Sequence, residues 1–205
     1  MTEGTTTKHI EAIQAAAVSD PVARDGRHGI ELKVRNISAL FNSLDPAPFR
    51  EKDLDAAAEA FIVGWAEEYP IGTPLSLHIH VQEALPEDAT PMVREAVRNY
   101  FAYRGGIVKM ELRRLMKQGR VSLLIGIAFL TICLFVKAYL LPHPSGPAMD
   151  VLRESLAIAG WVAMWQPMQI YLYGWWPLRR RGRLFANLAR MPVSVLVTVK
   201  TTPAQ

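Results

Sequence analysis

His78 and His80 are spaced to act together. They alternate with Leu77, Ile79 and Val81, so a strand would turn both imidazoles to one face. An H-x-H pair of this kind can present two nitrogens to one metal ion, and such a centre would serve a metal-dependent hydrolase. Asp45, Asp53 and Asp55 are acidic residues that could complete it. Asp53 and Asp55 also stand where a helix would start, and there carboxylates cap the first turn and complement its dipole. Neither H-E-x-x-H nor C-x-x-C accompanies the histidines. The chain likewise has no phosphate-binding glycine loop, nucleophile elbow or haem motif. The plainer reading of His78 and His80 is therefore two polar residues on the uncovered face of a sheet. Gln166 and Gln169 form the other polar pair. They lie inside an apolar stretch, where amides line a path, as in a channel or transporter subunit, or bond a neighbouring helix.

The elements that would position these groups follow from charge and hydropathy. The chain has 205 residues and a net charge of +4, but the charge is unevenly spread. Residues 1–97 carry a net −8, residues 98–120 a net +6, residues 121–175 none, and residues 176–205 a net +6. Two basic blocks around a neutral apolar stretch suit a membrane rather than a nucleic acid. Residues 121–141, VSLLIGIAFLTICLFVKAYLL, hold one charge, Lys137, near the end, and are long enough to cross the hydrocarbon. Residues 154–177 are expected to form a second span, kinked by Pro167 and ending in a belt of Tyr171, Tyr173, Trp175 and Trp176.

Arg113, Arg114, Lys117 and Arg120 precede the first span, and Arg179, Arg180, Arg181 and Arg183 follow the second. These residues and the two tryptophans are expected at the membrane interface, beside anionic headgroups. The positive-inside rule then places both termini in the cytoplasm and residues 142–153 in a short periplasmic loop. The lone cysteine, Cys133, can form no internal disulfide, and the first thirty residues lack the pattern of a signal peptide.

Outside the spans, strict alternation predicts strands at Ile30–Arg35, Leu75–Gln82 and Val193–Lys200. A helix is expected from Asp53 to Pro70, with Leu54, Ala58, Phe61, Trp65 and Tyr69 on one face. A second is expected from Thr90, broken at Gly105-Gly106 and resuming as a basic amphipathic helix, with Gly119 as a hinge. The third strand cannot bury its valines alone, so it should return to the sheet begun before the membrane. The expected fold is α+β: a transmembrane helical hairpin inserted in a small cytoplasmic three-stranded α/β domain. Residues 1–29 would be a disordered tail, residues 30–118 plus 192–200 the domain, and residues 178–191 a basic interfacial helix.

Several blocks together resemble a group of uncharacterised bacterial integral membrane proteins. They are Leu40-Phe41-Asn42-Ser43-Leu44-Asp45-Pro46, Pro48-Phe49-Arg50-Glu51 with Asp53-Leu54-Asp55, Tyr100-Phe101-Ala102-Tyr103-Arg104, and Gly160-Trp161-Val162-Ala163-Met164-Trp165 followed by Trp175-Trp176-Pro177. The resemblance implies a two-span inner-membrane protein and carries no activity, cofactor or site residue. With so thin an inventory of catalytic motifs, a non-enzymatic interaction or accessory module is expected. It would use no cofactor, and would work in a homo-oligomer or beside another membrane protein.

Overall fold

Alternating apolar residues produce a three-stranded, all-parallel sheet in the order β1-β2-β3. In the computed structural model the strands are β1 (His28–Val34), β2 (Leu75–Val81) and β3 (Val193–Val197). The structure describes residues 26–43, 45–46, 48, 52–83, 89–140 and 146–197. Most of the expected tail, residues 1–25, lies outside them. Residues 28 and 29 are not part of a tail, because His28 begins β1 opposite Leu75 and packs its ring 4.4 Å from that of Tyr69.

The chain forms two units, one made of residues 1–106 with 181–205 and the other of residues 107–180. In the first, Ile30, Leu32 and Val34 of β1 and Leu77, Ile79 and Val81 of β2 are buried on one face of the sheet. Helix α1 (Ala56–Glu68) follows Asp55, whose side chain accepts the Ala57 N–H at 2.9 Å. Leu54, Ala58, Ile62 and Ala66 are its buried stripe. Phe61 and Trp65 are half-buried and rest against each other at 6.2 Å, so the expected aromatic face is rotated off the core. The two alanines let the helix approach closely, and the rings flank the contact.

Helix α2 runs without interruption from Ala89 to Phe135, continued by a π-helical turn at Val136–Leu140. Neither the break expected at Gly105-Gly106 nor the hinge at Gly119 occurs. In the first unit α2 buries Val93, Ala96, Val97 and Phe101. Phe101 stacks on Phe185 at 6.2 Å and 24°. Phe185 belongs to α5 (Trp175–Leu188), where Leu184 and Leu188 are also buried. The apolar residues of the segment expected as an interfacial helix thus face protein rather than headgroups. The chain then enters β3, with Leu77 N–H donating to Pro192 O at 2.9 Å.

The second unit contains the later part of α2 and a run divided into α3 (Pro147–Ala163), α4 (Trp165–Gln169), a π-helical turn at Ile170–Gly174 and the start of α5. Pro167 has no N–H for the Ala163 carbonyl, and the helix is interrupted at Met164. Among the described residues a single helix, Thr90–Tyr139, is long and apolar enough to cross a membrane, in place of the expected pair. The second run is divided into shorter pieces, 17 residues in α3 and five in α4. It still packs antiparallel along α2. A Cβ on Gly119 would lie 2.9 Å from Ile170 Cγ2, one on Gly126 would lie 3.1 Å from Ala163 O, and one on Gly160 would meet Leu130 Cδ1 at 2.7 Å. Small residues at these points allow the backbones to approach.

Candidate functional site

The strand register decides what surrounds the two histidines. Gly29, Glu31 and Lys33 of β1 pair with Ser76, His78 and His80 of β2, and Ser194 and Leu196 of β3 pair with His78 and His80. This set alternates with the apolar positions and forms the polar face of the sheet.

His78 is held on both nitrogens: Nδ1 is 2.6 Å from Ser194 Oγ and Nε2 is 3.2 Å from Ser76 Oγ. Ser76 Oγ reaches His28 O at 3.5 Å, and Ser194 Oγ reaches Leu77 O at the same distance. Neutral His78 can be satisfied in either tautomer, since each hydroxyl has a backbone carbonyl in reach. In one of the two proton orders, Ser194 donates to Nδ1, Nε2–H donates to Ser76, and Ser76 donates to the His28 carbonyl. An imidazolium would reverse the first bond, and Ser194 would then donate to Leu77 O. A hydroxyl bonded to an imidazole is the contact a nucleophile makes with its base. Here the far nitrogen meets the Ser76 hydroxyl, where a triad has a carboxylate. This arrangement ties β2 to β3 better than it activates Ser194.

His80 lies on the same face, with Nε2 buried and without a hydrogen-bond partner among the described residues. Two of the three acidic residues are engaged elsewhere. Asp45 Oδ2 accepts the Asp53 N–H at 2.8 Å, and Asp55 caps α1. Among the described residues no group of three or more His, Cys, Asp or Glu side chains is placed to hold a metal ion.

A second polar centre went unnoticed in the sequence. Glu59 of α1 accepts from Tyr100 Oη at 2.7 Å through Oε2 and from Arg104 Nε at 2.8 Å through Oε1. Burial, and next the bond to Glu59 and its charge, push the Tyr100 phenol well above its ordinary range. The signal available was the i, i+4 spacing of Tyr100 and Arg104 on one helix face opposite an acidic first turn. This cluster binds α1 to α2.

In the second unit Arg113, Arg114, Lys117 and Arg120 are all exposed. Trp176 is exposed and Trp175 half-buried, with Trp175 Nε1 donating to Tyr171 O at 2.8 Å and Arg179 lying 5.6 Å over the ring. Arg180 is exposed, and within the first unit Arg181 and Arg183 are exposed too, with Arg181 5.7 Å over the Phe185 ring. Gln166 and Gln169 are both exposed. Gln166 lines a groove of about 700 Å³ together with Arg114, Lys117, Gln118, Ser122 and Ile125. Comparison with protein-family models, curated proteins and solved structures finds no match to this chain.

Proposed function

We propose that this chain is an integral membrane protein of a bacterial inner membrane, whose α/β unit serves on the cytoplasmic side as a non-enzymatic interaction module. The observation that carries this reading is the exposure of the apolar helix. The apolar window of Thr90–Tyr139 has a mean hydropathy of 2.4 and only 11% of it is buried. The core helix of a water-soluble protein would be covered by its own chain. Leu124, Ile125, Ile132 and Phe135 are instead 55–69% exposed. Val121 to Tyr139 spans about 28 Å at 1.5 Å per residue, close to the hydrocarbon thickness.

The broken second run carries the same kind of surface. Val151, Ile158, Trp161, Val162, Trp165 and Leu172 are exposed along it. On this reading it accompanies α2 through the bilayer, with its interruption at Pro167 protected by the partner helix. Arginines flank both runs at the same end, which supports a cytoplasmic location for both termini. The hydroxyl-bonded histidines and the absence of catalytic motifs favour binding over catalysis, with another membrane protein or a second copy as the partner.

Membrane extraction and cysteine labelling test this reading. On a Cys133→Ala background, Ser145→Cys should react with an impermeant maleimide in intact cells. Gln205→Cys should react only after lysis. Release of the chain by alkaline carbonate, or labelling of both sites from one compartment, overturns the reading.

A further inference from the structure

The groove along α2 has two chemically distinct ends. Arg114, Lys117 and Gln118 line one end, and Val121, Ile125 and Phe129 line the other. Gly126 and Ala163 also line it, at a point where the two helices approach closely. From Arg114 to Phe129 the axis advances about 22 Å, and Val121 to Phe129 accounts for about 12 Å of it. One leaflet of hydrocarbon is about 15 Å deep. Resting on the membrane reading above, the groove therefore runs from the headgroup level down most of one leaflet. Gly119 packs on Ile170 and Gly126 on Ala163, so Gln166 comes level with Ser122, between the cations and the apolar wall.

We infer that this groove binds one anionic glycerophospholipid. Its phosphate sits on Arg114 and Lys117, its ester groups meet Ser122 and Gln166, and an acyl chain lies along Val121, Ile125 and Phe129. Charge selects this occupant over a second copy. The chain is net +6 over residues 98–120 and net zero over residues 121–175, where its acids, Asp150 and Glu154, lie toward the other end of the helix pair. Another copy in the same orientation would bring cations to Arg114 and Lys117, whereas an anionic headgroup brings the complementary charge.

The test uses the full chain reconstituted in nanodiscs of equal parts phosphatidylglycerol and phosphatidylcholine, extracted in mild detergent, with the retained lipid counted by native mass spectrometry. The wild type should retain one phosphatidylglycerol in preference to phosphatidylcholine. Arg114→Gln with Lys117→Gln should reduce that preference about tenfold. Ser122→Phe, which fills the groove and keeps every charge, should do the same. Arg113→Gln with Arg120→Gln removes as much charge from positions outside the groove and should leave the preference unchanged.

Equal loss in both charge pairs means diffuse attraction to the surface and overturns the site. Unchanged retention in the Arg114/Lys117 or Ser122 variants, retention of both lipids alike, or dimers in place of bound lipid also overturns it. A wild-type chain that alkaline carbonate releases from membranes fails the membrane reading, and the lipid site with it. A chain that resists carbonate but shows no lipid preference fails the lipid site alone.

Discussion

Glu59 holds two helices through one carboxylate, with its side chain 18% exposed and that of Arg104 32% exposed. Replacing it with glutamine removes the charge partner of Arg104 and weakens the bond from Tyr100. We expect Glu59→Gln to cost about 1–3 kcal/mol, read by thermal unfolding in detergent. Tyr100 gives this contact a pH dependence. Its phenol is raised in the folded chain, so the fold favours the neutral form. The contribution is complete below the ordinary tyrosine value of about 10 and declines as pH rises beyond it. Tyr100→Phe should flatten the alkaline limb of a stability profile, and an unchanged limb would contradict this assignment. On the sheet, the hydroxyls of Ser76 and Ser194 hold His78 on both ring nitrogens. Ser194→Ala should perturb the Nδ1 ¹⁵N shift more than the Nε2 shift while costing about 1 kcal/mol, and an unmoved Nδ1 signal would contradict the contact. The alternation of β2 made the shared face of His78 and His80 legible. It could not reveal Ser194, because only the register of a strand 116 residues later brings that hydroxyl to the ring.

At the scale of elements, the strands were readable because a one-sided sheet imposes a period of two, and three segments carried it. The continuity of α2 was not readable. Gly105 and Gly106 lower helix propensity by about 1 kcal/mol each, yet the elements around them hold the backbone helical. A Cβ on Gly106 would meet nothing within 4 Å. Gly106→Ala should therefore stabilise the protein by about 0.5–1 kcal/mol in chemical denaturation, whereas a true break there would make the change neutral or harmful. Gly126 behaves oppositely, because the atom facing its missing Cβ at 3.1 Å is the rigid carbonyl of Ala163. Gly126→Ile should separate the helix pair, lower the melting temperature by several degrees and reduce crosslinking between cysteines placed along the two runs. Pro167 announced an interruption from sequence. The division of the run into α3, α4 and a π-helical turn depends on tertiary packing that no local pattern encodes.

The molecule as a whole is organised by the return of β3. The first unit draws Phe185, Leu188 and Val193 from the end of the chain into a core begun by Ile30 and Leu32. A chain ended after Arg180 should lose protection across residues 28–101, seen as rapid proteolysis, since two strands and two helices with an open core seldom hold alone. This dependence also orders events during synthesis. While the ribosome still holds β3, the earlier strands emerge without their last neighbour, and the sheet can close only after everything between has been translated and placed. Such long-range closure is slow and leaves a nascent form open to chaperones and proteases. Native folding of the α/β unit would then act as a late checkpoint: a chain stalled or misrouted partway would be recognised by its unclosed edge and degraded.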